Sequence, residues 1–166
     1  MSFTDIKTKS QGFTIVELLI VVVVIAILAA ITIVSYNGIT NRAKASSAQS
    51  VASSLQKKIE LFAADGDTGE YPKTIAELSG SGDSGKSFYT PSGSIKVTST
   101  PGTAPTAANG EDTVQYQPCG TFSSGTTIAN MTSVAGVKIV WWDFSKANSQ
   151  ATTLNVGDTS GTCATS

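Results

Sequence analysis

Gly12-Phe13-Thr14-Ile15-Val16-Glu17-Leu18-Leu19-Ile20-Val21-Val22-Val23-Val24-Ile25-Ala26-Ile27-Leu28-Ala29-Ala30-Ile31-Thr32-Ile33-Val34 is the stretch that decides the fold of this 166-residue chain. From residue 13 to residue 34 the only charge is Glu17, and the run of about 22 residues exceeds the roughly 20 that a helix needs to cross bilayer hydrocarbon. Lys7 and Lys9 stand just before it. The positive-inside rule keeps that basic end in the cytoplasm and sends the remainder of the chain outside.

Glu17 is the anomaly, because a carboxylate within hydrocarbon costs about 2.5 to 3.5 kcal/mol unless something neutralises it. No Lys or Arg follows within two turns, and Lys9 lies two helical turns upstream. Cleavage between Gly12 and Phe13 would create an α-amine one turn before Glu17 and supply the missing cation. An ordinary secretory signal is cut after its apolar region, at a small-x-small site such as Ala26, Ala29 and Ala30 could mimic. Here the apolar run continues straight into a long helical pattern, which a discarded signal has no reason to do. Residues 1–12 are therefore set aside as a leader peptide.

Gly12 before an aromatic, Glu17 four residues further on, and the apolar run from Leu18 to Ile33 together resemble the prepilin signature of type IV pilins and of the related type II secretion pseudopilins. The likeness is specific over residues 7–36 and far weaker beyond them. It implies cleavage after Gly12 by a dedicated membrane peptidase, N-methylation of Phe13, and assembly into a helical filament with the apolar helices at its core. It further implies that Glu17 meets the terminal amine of a neighbouring subunit. Two positions depart from many relatives, Ala26 where a glycine is usual and Val34 where a proline is usual. Both replacements argue against local melting of the helix between them.

Composition limits what else the chain can do. Eleven basic against twelve acidic residues give a net charge of −1, and removing residues 1–12 leaves −2, so electrostatics alone indicate no nucleic-acid partner. The absence of histidine removes the commonest general base, the Ser-His-Asp triad and every His-ligated metal site. No enzyme activity, cofactor or metal site is expected. Cys119 and Cys163 are too few for a four-cysteine zinc site. In an exported domain their simplest use is one disulfide, worth about 3 to 4 kcal/mol by loop entropy, the alternative being two unpaired thiols.

Beyond the apolar run, Ile39, Ala43, Ala48, Val51, Ala52, Leu55, Ile59 and Phe62 recur at three- and four-residue spacing, the pattern of a helix with one apolar face. Asn37-Gly38 is turn chemistry that permits a bend, but the pattern resumes in phase after it. The expectation is one helix from residue 13 to residue 64, roughly 78 Å long at 1.5 Å per residue. Asp65-Gly66-Asp67-Thr68-Gly69 ends it, without the glutamate that a calcium loop requires. Thr74 and Glu77 then read as the capping box of a short helical turn pinned by Ile75 and Leu78. Strands are expected at 94–100, 113–117, 137–144 and 153–156, the third apolar on both faces and so central.

The rival uses of these residues are weaker. Trp141 and Trp142 could stack on sugars or bases, but a core strand with one Trp on the helix and the other partly exposed is the simpler reading. Arg42, Lys44, Lys57 and Lys58 read as a solvated helix face or an intersubunit contact. The Ser- and Thr-rich stretch 79–133 has the composition of an O-glycan carrier, and the sequence does not decide its use.

The expected architecture is α+β and pilin-like. It comprises a leader (1–12), an apolar helix half (13–36), an amphipathic helix half (37–64) packed on a small antiparallel sheet, and a head (65–166) closed by a disulfide. The expected work is structural, a subunit anchored in the cytoplasmic membrane that polymerises into a surface pilus for adhesion, twitching motility or DNA uptake. Its partners would be further copies of itself, the prepilin peptidase, the inner-membrane assembly machinery and the membrane. The alternatives are a pseudopilin of a type II secretion system and a membrane-anchored binding module that never polymerises.

Overall fold

The computed structural model describes residues 12–66, 68–98, 103–110, 112–146 and 151–165, with the side chains of Val34 and Ser81 excepted. Residues 1–11 of the expected leader, Asp67 of the helix-ending turn and residues 99–100 of the first expected strand lie outside these. Two compact units divide the chain, Met1–Ile39 and Thr40–Ser166.

Helix α1 runs over Ile15–Asp65, and Gly38 and residues 26–34 lie within it. In the first unit its side chains are exposed all round, from 85% at Ile15 to 47% at Val23. A helix apolar on every side has no water-facing surface, and this one is long and apolar enough to cross a membrane by length and composition.

In the second unit the same helix buries one stripe. Ala48, Ala52, Leu55 and Ile59 are fully buried at the spacing that the sequence shows, and Val51 and Phe62 pack against the same core. This stripe combines small residues at 48 and 52 with large ones at 55 and 59. Gly66 N–H donates to Phe62 O at 3.1 Å as the helix ends.

The sheet has the order β1(Lys96–Val97), β2(Thr113–Phe122), β3(Met131–Trp142), β4(Ala151–Gly157), with β5(Thr162–Cys163) on the far end of β2. All pairings are antiparallel except β1 with β2. The register sets Val114 beside Trp141, Tyr116 beside Ile139, Ile139 beside Leu154 and Val137 beside Val156. All of these residues join the helix stripe in one core. Alternation sends Gln115, Lys138, Val140, Trp142, Thr153 and Asn155 to the opposite face. Thus Trp141 packs in the core and Trp142 is half-buried on the other side, against Gly110, where a Cβ would collide with the Trp142 side chain.

Three strands are longer than the alternation predicts, whereas the one expected over 94–100 is confined among the described residues to Lys96–Val97 and pairs parallel rather than antiparallel with β2, and the one expected to reach residue 144 ends at Trp142. β2 continues five residues past Gln117, through Pro118 and Cys119, to Phe122. Pro118 is tolerated because β1 pairing ends at Val114 and β5 pairing starts at Cys119, so on that side it has an edge position. Register shifts at Cys119/Gly120 and Thr121/Phe122 bend the hairpin there. β3 starts at Met131, six residues before the apolar run. Cys119 and Cys163 face each other across β2 and β5 and are joined by a disulfide that spans 44 residues of sequence.

The expected short helix is a 3-10 turn over Ile75–Ser79, and its Thr74 cap makes no side-chain bond. Glu77 instead accepts the Lys73 N–H at 3.0 Å. The turn is held from below, with Leu78 fully buried. The Tyr116 hydroxyl donates to Pro72 O. Burial pushes that phenol well above its ordinary range, and the charge of Glu77 adds to the effect.

Candidate assembly site at the helix N-terminus

Helix α1 opens with a reciprocal capping box that the reading of the sequence did not place here. Thr14 precedes the first helical residue, and Glu17 is the third. Glu17 Oε2 accepts the Thr14 N–H at 2.9 Å and the Thr14 hydroxyl at 2.7 Å, while the Glu17 N–H donates back to Thr14 Oγ1 at 3.2 Å. The carboxylate and hydroxyl thereby satisfy backbone groups that a helix start leaves open. The signal, Thr-x-x-Glu before an apolar run, is present in the sequence. It also occurs at 74–77, where no α-helix follows.

This arrangement fixes the Glu17 carboxylate at the tip of the apolar helix. Phe13, the residue before the cap, is 88% exposed. The two expected cleavage residues, Gly12 and Phe13, precede α1 in non-helical backbone. The negative charge within the first turn also lies at the favourable end of the helix dipole.

The other candidate groups are engaged within the second unit. Lys44 Nζ lies 5.5 Å from the centroid of the Phe144 ring, and Lys58 Nζ donates to Ser87 O at 2.6 Å. Two of the four basic residues, Lys44 and Lys58, are thus engaged in contacts within the head. Asp65 of the helix-ending turn forms an ion pair with Lys86 at 2.7 Å. That bond and the Asp65 charge raise the Lys86 ammonium above its ordinary range. Among the described residues no group of His, Cys, Asp and Glu could hold a metal ion.

An apolar N-terminal helix capped by an acidic residue, joined in sequence to an α+β head with a cross-strand disulfide, defines a pilin-like architecture. The family model for the prokaryotic N-terminal methylation motif matches residues 7–33. The chain is 38% identical over 81 residues to the type IV major fimbrial protein FimA of Dichelobacter nodosus, covering 48% of this chain and 51% of that protein. It is 35% identical over 97 residues to a fimbrial protein of the same organism, covering 48% of this chain and 59% of that one. The chain thus spans about half the length of the curated relatives it matches. No solved structure matches it. Motif, fold and relatives agree on a likeness to type IV pilins, and the relatives carry the names of structural proteins rather than of enzymes.

Proposed function

We propose that this protein is a pilin subunit. It is cleaved between Gly12 and Phe13, methylated on Phe13, held in the cytoplasmic membrane by residues 13–36 with its head outside, and polymerised into a surface fibre. The observation that carries the reading is the apolar half of α1, exposed on every side and capped by Glu17. Such a helix needs lipid before assembly and the helices of other copies afterwards. The Phe13 amine of one subunit would meet the Glu17 carboxylate of another inside that core, where low dielectric strengthens their attraction. The peptidase and the membrane assembly machinery are the partners this route requires. Fimbrial names among the relatives support a fibre over a secretion pseudopilin and over an anchored module that never polymerises.

Mass spectrometry of protein purified from cells tests the first step. The expected mature chain starts at Phe13 and carries one added methyl group, and a chain that retains residues 1–12 would overturn the reading. Electron microscopy of cells with and without the gene tests the second, with surface fibres lost on deletion.

A further inference from the structure

Asn130 is followed two residues on by Thr132, and no other asparagine in the chain has Ser or Thr at that distance. Asn130-Met131-Thr132 is the acceptor pattern for N-linked glycans, a modification of surface positions in exported domains. Three residues are a weak signal on their own, so the place of the tripeptide in the fold has to support it.

It lies where the connection from β2 enters β3. Asn130 ends the 3-10 turn Ile128–Asn130, and Thr132 is the second residue of β3. The backbone of Asn130 is engaged on both sides: its N–H donates to Thr127 O at 3.0 Å, and its carbonyl accepts the Ser123 N–H at 2.9 Å and the Ser123 hydroxyl at 3.1 Å. Its side chain is not. Among the described residues none bonds the Asn130 carboxamide, and neither of its polar atoms is both buried and unpartnered, so the amide is open to water. By contrast, Asn109 Oδ1 accepts the Thr106 N–H at 2.8 Å within its own turn. Asn130 Nδ2 borders the hairpin turn, 4.0 Å from where a Cβ on Gly125 would stand, and Ser123, Ser124, Gly125 and Ala129 around it are exposed. Met131 is buried in the core, while Thr132 is exposed. The fold therefore makes no use of the group that distinguishes asparagine at this position, and it presents that group at the surface.

We propose that Asn130 carries an N-linked glycan, added outside the membrane from a lipid-pyrophosphate-linked oligosaccharide. In the transfer Asn130 Nδ2 gives one proton to a base of the transferase and bonds to the anomeric carbon of the first sugar. The bond from that carbon to the pyrophosphate oxygen breaks, and the lipid pyrophosphate leaves. The Thr132 hydroxyl is the part of the pattern that a transferase reads beside the amide. In the folded head this hydroxyl donates to Thr121 O at 3.1 Å and lies 2.7 Å from the Thr121 hydroxyl. The glycan is thus added before β3 closes on β2, and the finished head holds a bulky hydrated group at the rim of the hairpin turn. The proposal rests on the reading above only in placing the head outside the membrane.

The test is mass spectrometry of mature protein purified from its own cells, native and in three variants. Asn130→Gln removes the acceptor, Thr132→Val removes the hydroxyl with Asn130 in place, and Thr132→Ser keeps the pattern. In the native chain and in Thr132→Ser, the peptide containing Asn130 is expected to carry a series of sugar masses that fragmentation assigns to Asn130. The other two variants are expected to give the bare peptide mass while still melting cooperatively, so that the loss is not a loss of fold. A bare Asn130 in the native chain overturns the proposal. Sugar masses that persist in Asn130→Gln, and so sit on Ser or Thr hydroxyls, overturn it as well, as do sugar masses that persist in Thr132→Val. The N-terminus read from the same samples separates this proposal from the reading above. Bare Asn130 on a chain that starts at Phe13 sinks the glycan alone, whereas bare Asn130 on a chain that retains residues 1–12 sinks both.

Discussion

At the scale of single residues, Glu17 has two roles that can be separated. Its carboxylate completes the capping box with Thr14, and glutamine can do the same at that position. Only the charge can pair with an amine. Glu17→Gln is therefore expected to keep the helix start, insert and be cleaved, yet form few fibres when counted by electron microscopy. Each subunit would hold a buried ammonium without its partner, a loss of about 3 to 5 kcal/mol. Thr14→Val should behave in the opposite way, losing about 1 kcal/mol of helix start while fibres still form. Normal fibre numbers in Glu17→Gln would remove the charge from the mechanism. In the head, the hydroxyl and N–H of Ser145 bond the Asp143 carboxylate and hold it below the usual carboxylate range, with Lys146 and Thr152 adding to the effect. A depressed folded-state value gives stability that is present above the unfolded value of about 3.9 and is lost as pH falls through the folded one. Thermal melts of Asp143→Asn should therefore show a lower midpoint at pH 7 and a shallower decline between pH 4 and pH 2 than the native chain.

At the scale of elements, β5 has two residues, and the disulfide from Cys163 to Cys119 fastens it to β2, with Ala164 N–H on Pro118 O at 2.9 Å beside it. Cys163→Ser is expected to lower stability by about 3 to 4 kcal/mol in the loop-entropy account. Limited proteolysis should then cut first in the released C-terminal segment, and uniform resistance would show that the strands hold it alone. Helix α1 was legible in the sequence because an unbroken apolar run long enough to cross hydrocarbon leads into a three- and four-residue apolar spacing from Ile39 to Phe62, and the apolar core of β3 because Val137, Ile139, Val140 and Trp141 form a dense run. The first half of β3 was not, since Thr132, Ser133, Ala135 and Gly136 carry no pattern of their own. They are strand because the hairpin brings this segment against Cys119, Gly120 and Thr121. Pro118 hid the end of β2 for a similar reason, its tolerance depending on where β1 stops and β5 begins. The capping box was assigned to 74–77 instead of 14–17 because both share one spacing, and only the element that follows distinguishes them.

For the molecule as a whole, the core members named above are Ala48 and residues after it, and none comes from Met1–Ile39. The side chains exposed in the apolar half are large, Ile, Leu and Val from residue 15 to residue 33, and such a surface drives association in water. A chain that starts at Thr40 should lose that surface while keeping the stripe Ala48, Ala52, Leu55 and Ile59, the sheet and the disulfide. It is expected to stay in solution without detergent, to melt in one cooperative transition, and to react with a thiol-alkylating reagent only after reduction. The full chain should need detergent under the same conditions. The physical ground is that helix stability in this unit comes from burying one face on the sheet rather than from helix length. The truncation leaves two turns ahead of Ala48 to hold the register of that face. A truncated chain that shows strand signal but no cooperative melt would mean that the helix beyond Thr40 cannot keep its place without the residues before it.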